Sequence, residues 1–163
     1  MPARNRAAQE RATYLTLTGL FLTLFMAFSG IFRKRMEAFE LRPFDFLLLG
    51  LAVFRAGRLA SFDKVTEPLR EPFTRTEPNE TGAGENVVAE GTGAKRAIGE
   101  LISCPICTGT WIAALLTYAL YLAPGPTRVL LTILGASGAA ELLNASAETL
   151  TWTGQAARKE SGQ

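Results

Sequence analysis

Histidine is absent from all 163 residues, and cysteine occurs only twice. The first absence removes the commonest general base and the commonest metal ligand. Two thiols do not complete a structural zinc site within one chain; a second chain has to supply the remaining ligands. A surplus of positive charge is lacking too. The 17 Lys and Arg nearly balance the 15 Asp and Glu, for a net charge of +2. That leaves no broad basic surface for nucleic acid. Charge of either sign is missing from Thr13 to Phe32, a run about long enough to cross a hydrocarbon core.

What is present is 48% apolar residues, distributed in blocks. Two further uncharged stretches run from Pro105 to Thr127 and from Val129 to Ala140. Charged residues crowd into the N-terminus, Arg33 to Arg42, Asp63 to Glu100 and the tail. This alternation predicts an all-α integral membrane bundle of three to four transmembrane helices with a flexible cytoplasmic loop. The chain divides into a polar N-terminal segment with an extra helix (1–43), a membrane domain (44–153) containing a linker (74–97), and a polar tail (154–163). The expected helices are Thr13 to Phe32, Phe44 to Phe62, Pro105 to Leu122 and Thr127 to Ala147. The first ends in Arg33-Lys34-Arg35 rather than a small-residue cleavage site, and so reads as an uncleaved span. Pro68 and Pro72 exclude a regular helix between Asp63 and Phe73. Gly135 to Ala140 forms a small-residue face of the kind that lets membrane helices approach closely.

The turn Ala123-Pro124-Gly125-Pro126 joins the last two spans, so the Asp63–Ser103 loop and the tail share a side. That side carries Lys64, Arg70, Arg75, Lys95, Arg96, Arg158 and Lys159, whereas the opposite turn offers only Arg128. The positive-inside tendency places the loop on the cytoplasmic side of the membrane. Four spans leave Arg33, Lys34, Arg35 and Arg42 outside, against that tendency. A re-entrant 44–62 segment removes the conflict and moves the N-terminus outside. Four spans is the preferred reading.

In that topology Arg55, Arg58, Asp63 and Arg70 meet Glu141 at one face. Glu141 falls about two turns before the expected end of its helix, roughly 9 Å below the surface at 1.5 Å per residue. A carboxylate at that depth needs a partner, and Arg55 or Arg58 is the expected one. The pair either locks two helices together or forms part of a pocket for a lipid headgroup or another anionic ligand.

Cys104-Pro105-Ile106-Cys107 opens the third helix, with proline at its favoured first position. Helix N-terminal amides lower a thiol pKa, so Cys104 suits an attacking thiol and Cys107 a resolving one. Three readings stay open: packing, a membrane thiol–disulfide oxidoreductase, and a metal site shared between subunits. No strand–helix alternation of the thioredoxin kind surrounds the motif.

Ala52-Val53-Phe54-Arg55-Ala56-Gly57-Arg58-Leu59, Asp63-Lys64, Glu67 to Phe73 and Gly99 to Trp111 together resemble a bacterial membrane family known as domain of unknown function thirteen-sixty. The likeness runs from about Phe44 to Leu143. Some members carry sporulation labels. The resemblance implies a small helical membrane protein with no established activity. The chain departs from the family in its extra first helix and in Ile106, where an aromatic residue is frequent. A non-enzymatic membrane protein without a cofactor is the leading expectation, with lipid, another copy of itself or another membrane protein as partner.

Overall fold

The computed structural model describes residues 3–33, 40–78 and 85–160. Lys34 and Arg35 of the expected basic cluster lie outside these. The chain builds α1 (Ala3–Ile31), α2 (Pro43–Phe62), a 3-10 turn (Lys64–Thr66), α3 (Glu67–Arg70), β1 (Thr74–Pro78), β2 (Glu85–Ala89), α4 (Ala94–Ser103), α5 (Pro105–Leu122) and α6 (Pro124–Glu160). Among the described residues, three helical segments are long and apolar enough to cross a membrane: Ala8–Ile31, Pro105–Leu122 and Pro124–Gln155. By composition α2 is set apart by Asp45, Arg55 and Arg58, which it carries among its leucines.

The long helices alternate in direction. Gly57 of α2 lies against the start of α5, where an added Cβ would stand 2.7 Å from the Pro105 carbonyl oxygen. Gly109, one turn further along α5, faces Val53 of α2. These helices therefore run antiparallel. α6 folds back from α5 across Ala123 and runs parallel to α2. It is tied near its start by Arg128 to Asp45 and further along by Glu141 to Arg58. The core between the three is small: Leu49, Ala52, Leu116, Leu120 and Leu131. Leu15, Met26, Phe44, Phe46, Val129 and Ile133 point outward instead.

α1 lies along α5 through aromatic contacts. Phe21 meets Trp111 edge-on at 5.1 Å, and Phe28 stacks on Tyr118 at 4.1 Å. Thr13, Thr16 and Thr23 return their hydroxyls to carbonyls one turn back, so these polar groups are satisfied inside an apolar helix. The N-terminal half of α1 meets α4: Tyr14 donates to Glu100, and Arg96 lies 2.9 Å from Glu100 and 3.9 Å from Glu10. The tyrosine hydroxyl, and after it Arg96, hold the Glu100 carboxyl below its ordinary range despite some desolvation. A lowered folded pKa contributes stability at full strength above the unfolded value of about 4.3, and loses it as pH falls through the folded value. The thermal midpoint of the wild type should therefore exceed that of Glu100→Gln near neutral pH. The gap should narrow below about pH 4; a gap that is constant from pH 6 to 3 contradicts this.

Three expectations change. The segment read as a linker, 74–97, carries an antiparallel hairpin pairing Thr74 with Ala89 and Thr76 with Val87, followed by the start of α4. The fold is therefore mostly helical rather than all-α. Thr74, Thr76, Val87 and Val88 are β-branched and suit strands. Gly99 of α4 completes the layer: a Cβ there would stand 2.4 Å from the Phe73 carbonyl oxygen. Second, α1 starts at Ala3 rather than Thr13. Third, the last helix does not stop at Ala147, and most of the supposed tail is helical through Glu160. Good helix formers (Ala, Glu, Gln, Arg, Lys) continue beyond the apolar stretch, and Ser146, Thr149 and Thr151 each bond back to the carbonyl four residues earlier.

Candidate functional site

The depth of Glu141 follows from helix lengths. α5 has 18 residues and rises about 27 Å. The same rise along α6 from Pro124 returns to the neighbourhood of residue 141. Glu141 thus stands near the level of the Cys104–Cys107 corner, with roughly 28 Å of α6 beyond it. It is not two turns from the helix end, as the shorter helix implied, yet it still meets the polar end of α2.

There the structure brings together four of the expected residues. Arg55 Nη2 lies 2.6 Å from Asp63 Oδ2, and Arg55 Nη1 lies 3.6 Å from Glu141 Oε2. Arg55 Nε donates to Ser137 Oγ at 3.1 Å. Arg58 Nε lies 2.5 Å from Glu141 Oε1. Among the described residues, Glu141 Oε2 is buried and accepts no hydrogen bond, and its compensation there is the longer Arg55 contact. Two guanidinium groups and two carboxylates balance, and the network joins α2, the turn after it and α6. The guanidinium of Arg58 also lies 5.8 Å from the Phe54 ring centre and 5.6 Å from that of Phe62. Both aromatic faces favour the cation. Among the described residues only its Nε is hydrogen-bonded, and the side chain is 44% exposed.

Beneath Arg58 an apolar groove of about 640 Å³ opens between α2 and α5, walled by Gly50, Val53, Phe54, Ile106, Gly109 and Ala113. A volume in this range suits a small ligand or part of a chain molecule.

Arg70 is placed differently from the expectation that it joins the cluster as a ligand donor. It is buried, and its Nη1 donates to the Asp63 carbonyl at 2.5 Å and to Thr66 Oγ1 at 3.0 Å. Its Nη2 donates to the Phe62 carbonyl at 3.3 Å. It thereby satisfies carbonyls left open where α2 ends. Arg70 shapes the turn that presents Asp63 to Arg55.

Cys104 caps α5, and the Cys107 N–H donates to Cys104 Sγ at 3.3 Å. The two cysteines are joined as a disulfide with Cα atoms 5.2 Å apart. No group of three or more His, Cys, Asp or Glu able to hold a metal occurs among the described residues.

One pair escaped sequence reasoning. Asp45, 5% exposed, is gripped by Arg128 through Nη2 to Oδ2 at 2.9 Å and Nε to both oxygens at 3.2 Å. The signal was available: Asp45 is a lone acid in an apolar run, and Arg128 is the lone base of the opposite turn.

Comparison with known proteins adds a family and no activity. Residues 48–147 match the family described as Protein of unknown function (DUF1360). Sporulation protein YjcA of Bacillus subtilis (strain 168) is 40% identical over 101 residues, covering 60% of this chain and 85% of the relative. UPF0713 protein YngL of the same organism is 32% identical over 98 residues, covering 60% and 74%. No solved structure matches.

Proposed function

The chain belongs to the DUF1360 family of proteins of unknown function, and we propose that it is a multi-pass protein of the bacterial cytoplasmic membrane that retains an anionic phospholipid without catalysis. The groove beneath Arg58 carries this reading. Its walls are mostly apolar, as an acyl chain requires, and among the described residues the one charged group lining it is the Arg58 guanidinium. Arg58 is held by Glu141, Phe54 and Phe62, so little side-chain freedom remains to be lost when a phosphate binds. Its Nη atoms stay available for that phosphate. Helices with outward apolar side chains support the bilayer as the surrounding solvent. Arg55, Asp63 and Glu141 serve as the mount for Arg58 in this reading, and Arg70 secures the turn that bears Asp63.

The groove provides its own control. A Cβ at Gly50 meets nothing within 4 Å, so Gly50→Leu has room at its Cβ and adds apolar bulk to the wall of the groove. Purified protein in nanodiscs of mixed phosphatidylglycerol and phosphatidylcholine should retain the anionic lipid preferentially after transfer to detergent. Gly50→Leu should lose the retained lipid without any loss of thermal stability. Arg58→Gln should lower the anionic preference about fivefold, the value of one interfacial cation near 1 kcal/mol. Wild-type retention by the filled variant removes the proposal.

A further inference from the structure

We propose that Cys104 and Cys107 form a reversible dithiol–disulfide couple that exchanges with a disulfide of a partner protein. It does not rest on lipid retention: Ile106 between the two cysteines walls the groove, but Cys104 itself lines a separate cleft.

The bridge contributes little as a staple. It spans a single helical turn, and a loop this short removes little entropy from the unfolded chain. The corner is already held by contacts that involve no sulfur. Thr108 Oγ1 donates to the Leu101 carbonyl at 2.7 Å, and Ser61 Oγ donates to the Ile102 carbonyl at 2.6 Å. Gly57 lets α2 lie directly against the Pro105 carbonyl. These contacts keep the backbone in place whether the sulfurs are joined or free, so opening the bond requires no repacking. The Cα separation of 5.2 Å lies within the range that a disulfide accepts.

Two features direct reactivity to Cys104. Its sulfur receives the Cys107 N–H at the start of an 18-residue helix, an environment that favours the thiolate. It also lines a cleft of about 270 Å³ between β2 and α4, whose walls include Val87, Ala89, Arg96 and Glu100. Cys107 does not line that cleft; it is exposed beside Ile106, which is 83% exposed. A partner sulfur thus has an approach from the hairpin side.

In the reduced form, the Cys104 thiolate attacks one sulfur of the partner disulfide. A Cys104–partner bond forms, the partner S–S bond breaks, and the other partner sulfur leaves as thiolate. Cys107, having lost its proton to water, attacks Cys104 Sγ. The Cys104–Cys107 bond forms, and the first partner sulfur departs as thiolate. Two electrons have passed to the partner, whose thiolates take up the two protons lost by the cysteines. The reverse sequence, begun by a partner dithiol, reduces the bridge.

The test uses the full-length protein in detergent micelles, with glutathione and dithiothreitol as probes and a maleimide mass shift as readout. Both cysteines should label after dithiothreitol and neither after oxidised glutathione, repeatedly and at unchanged helicity. Cys107→Ser should capture glutathione at Cys104 about tenfold faster than Cys104→Ser captures it at Cys107. A bridge that resists dithiothreitol in the folded protein overturns the proposal. So do thiols that refuse oxidation, equal capture by the two variants, or stoichiometric bound zinc that shields the pair. If either variant fails to fold, the wild-type cycle of oxidation and reduction still decides.

Discussion

Gly138→Val should cost the protein on the order of 3 kcal/mol and lower its thermal midpoint by about 10 °C. A Cβ at this position would stand 2.5 Å from the Leu51 carbonyl oxygen and 3.3 Å from the Leu51 carbonyl carbon and Arg55 Cβ. The first obstacle is backbone, so no rotamer change relieves it. The helices must separate, and α2 would be pushed away from α6 along the same seam where Leu48 lies against Gly135. That movement also draws Arg55 from Ser137 and Arg58 from Glu141. The variant should therefore lose lipid preference together with stability, and it should lose more stability than Arg58→Gln, which removes one ion pair but leaves the α2–α6 backbone seam intact. Gly154→Ala is the control. It lies in the same helix with nothing within 4 Å, and replacing an exposed helical glycine should stabilise by up to about 1 kcal/mol. Equal thermal midpoints for Gly138→Val and wild type would remove close packing as the basis of the α2–α6 pair.

The residues that could be read from sequence were those whose physics is local or obligatory. An acid within an apolar run must find a cation, and Glu141 stands opposite Arg55 and Arg58 as that rule requires. The same rule applies to Asp45, yet an acid in the first turn of a helix already has an ordinary role beside the amide dipoles, and its tie to Arg128 spans 83 positions. The hairpin was concealed for a different reason. Its strands have five residues each, too few for alternation to stand out amid glycine and glutamate. Its support comes from α4, where Gly99 admits the Phe73 carbonyl. At the end of α6 hydropathy falls near Ala147 while helix propensity does not; an apolar run marks the part of a helix that seeks a nonpolar surrounding, and the helix itself continues to Glu160.

Asp45 and Arg128 supply the second large effect, and the effect should be asymmetric. Arg128→Leu strands a carboxylate whose side chain is 7% exposed. Breaking a buried pair from that side costs about 3 kcal/mol, the low end of the usual range, because α2's first amides offset part of the charge. Asp45→Leu leaves a guanidinium that is 39% exposed and can extend its long stem toward water, so the loss should be clearly smaller. The double variant Asp45→Leu/Arg128→Leu should recover most of the deficit, since no charge is left without a partner. Thermal midpoints of the three proteins in one detergent decide the matter. If the two single variants fall equally, burial of Asp45 is not the controlling term. If the double variant is as unstable as Arg128→Leu, the pair contributes packing rather than charge neutralisation. The outcome also bears on how α2 can run beside two apolar helices: its charges at one end are met by Arg128 and at the other by Asp63 and Glu141, so little net charge is carried into the bundle.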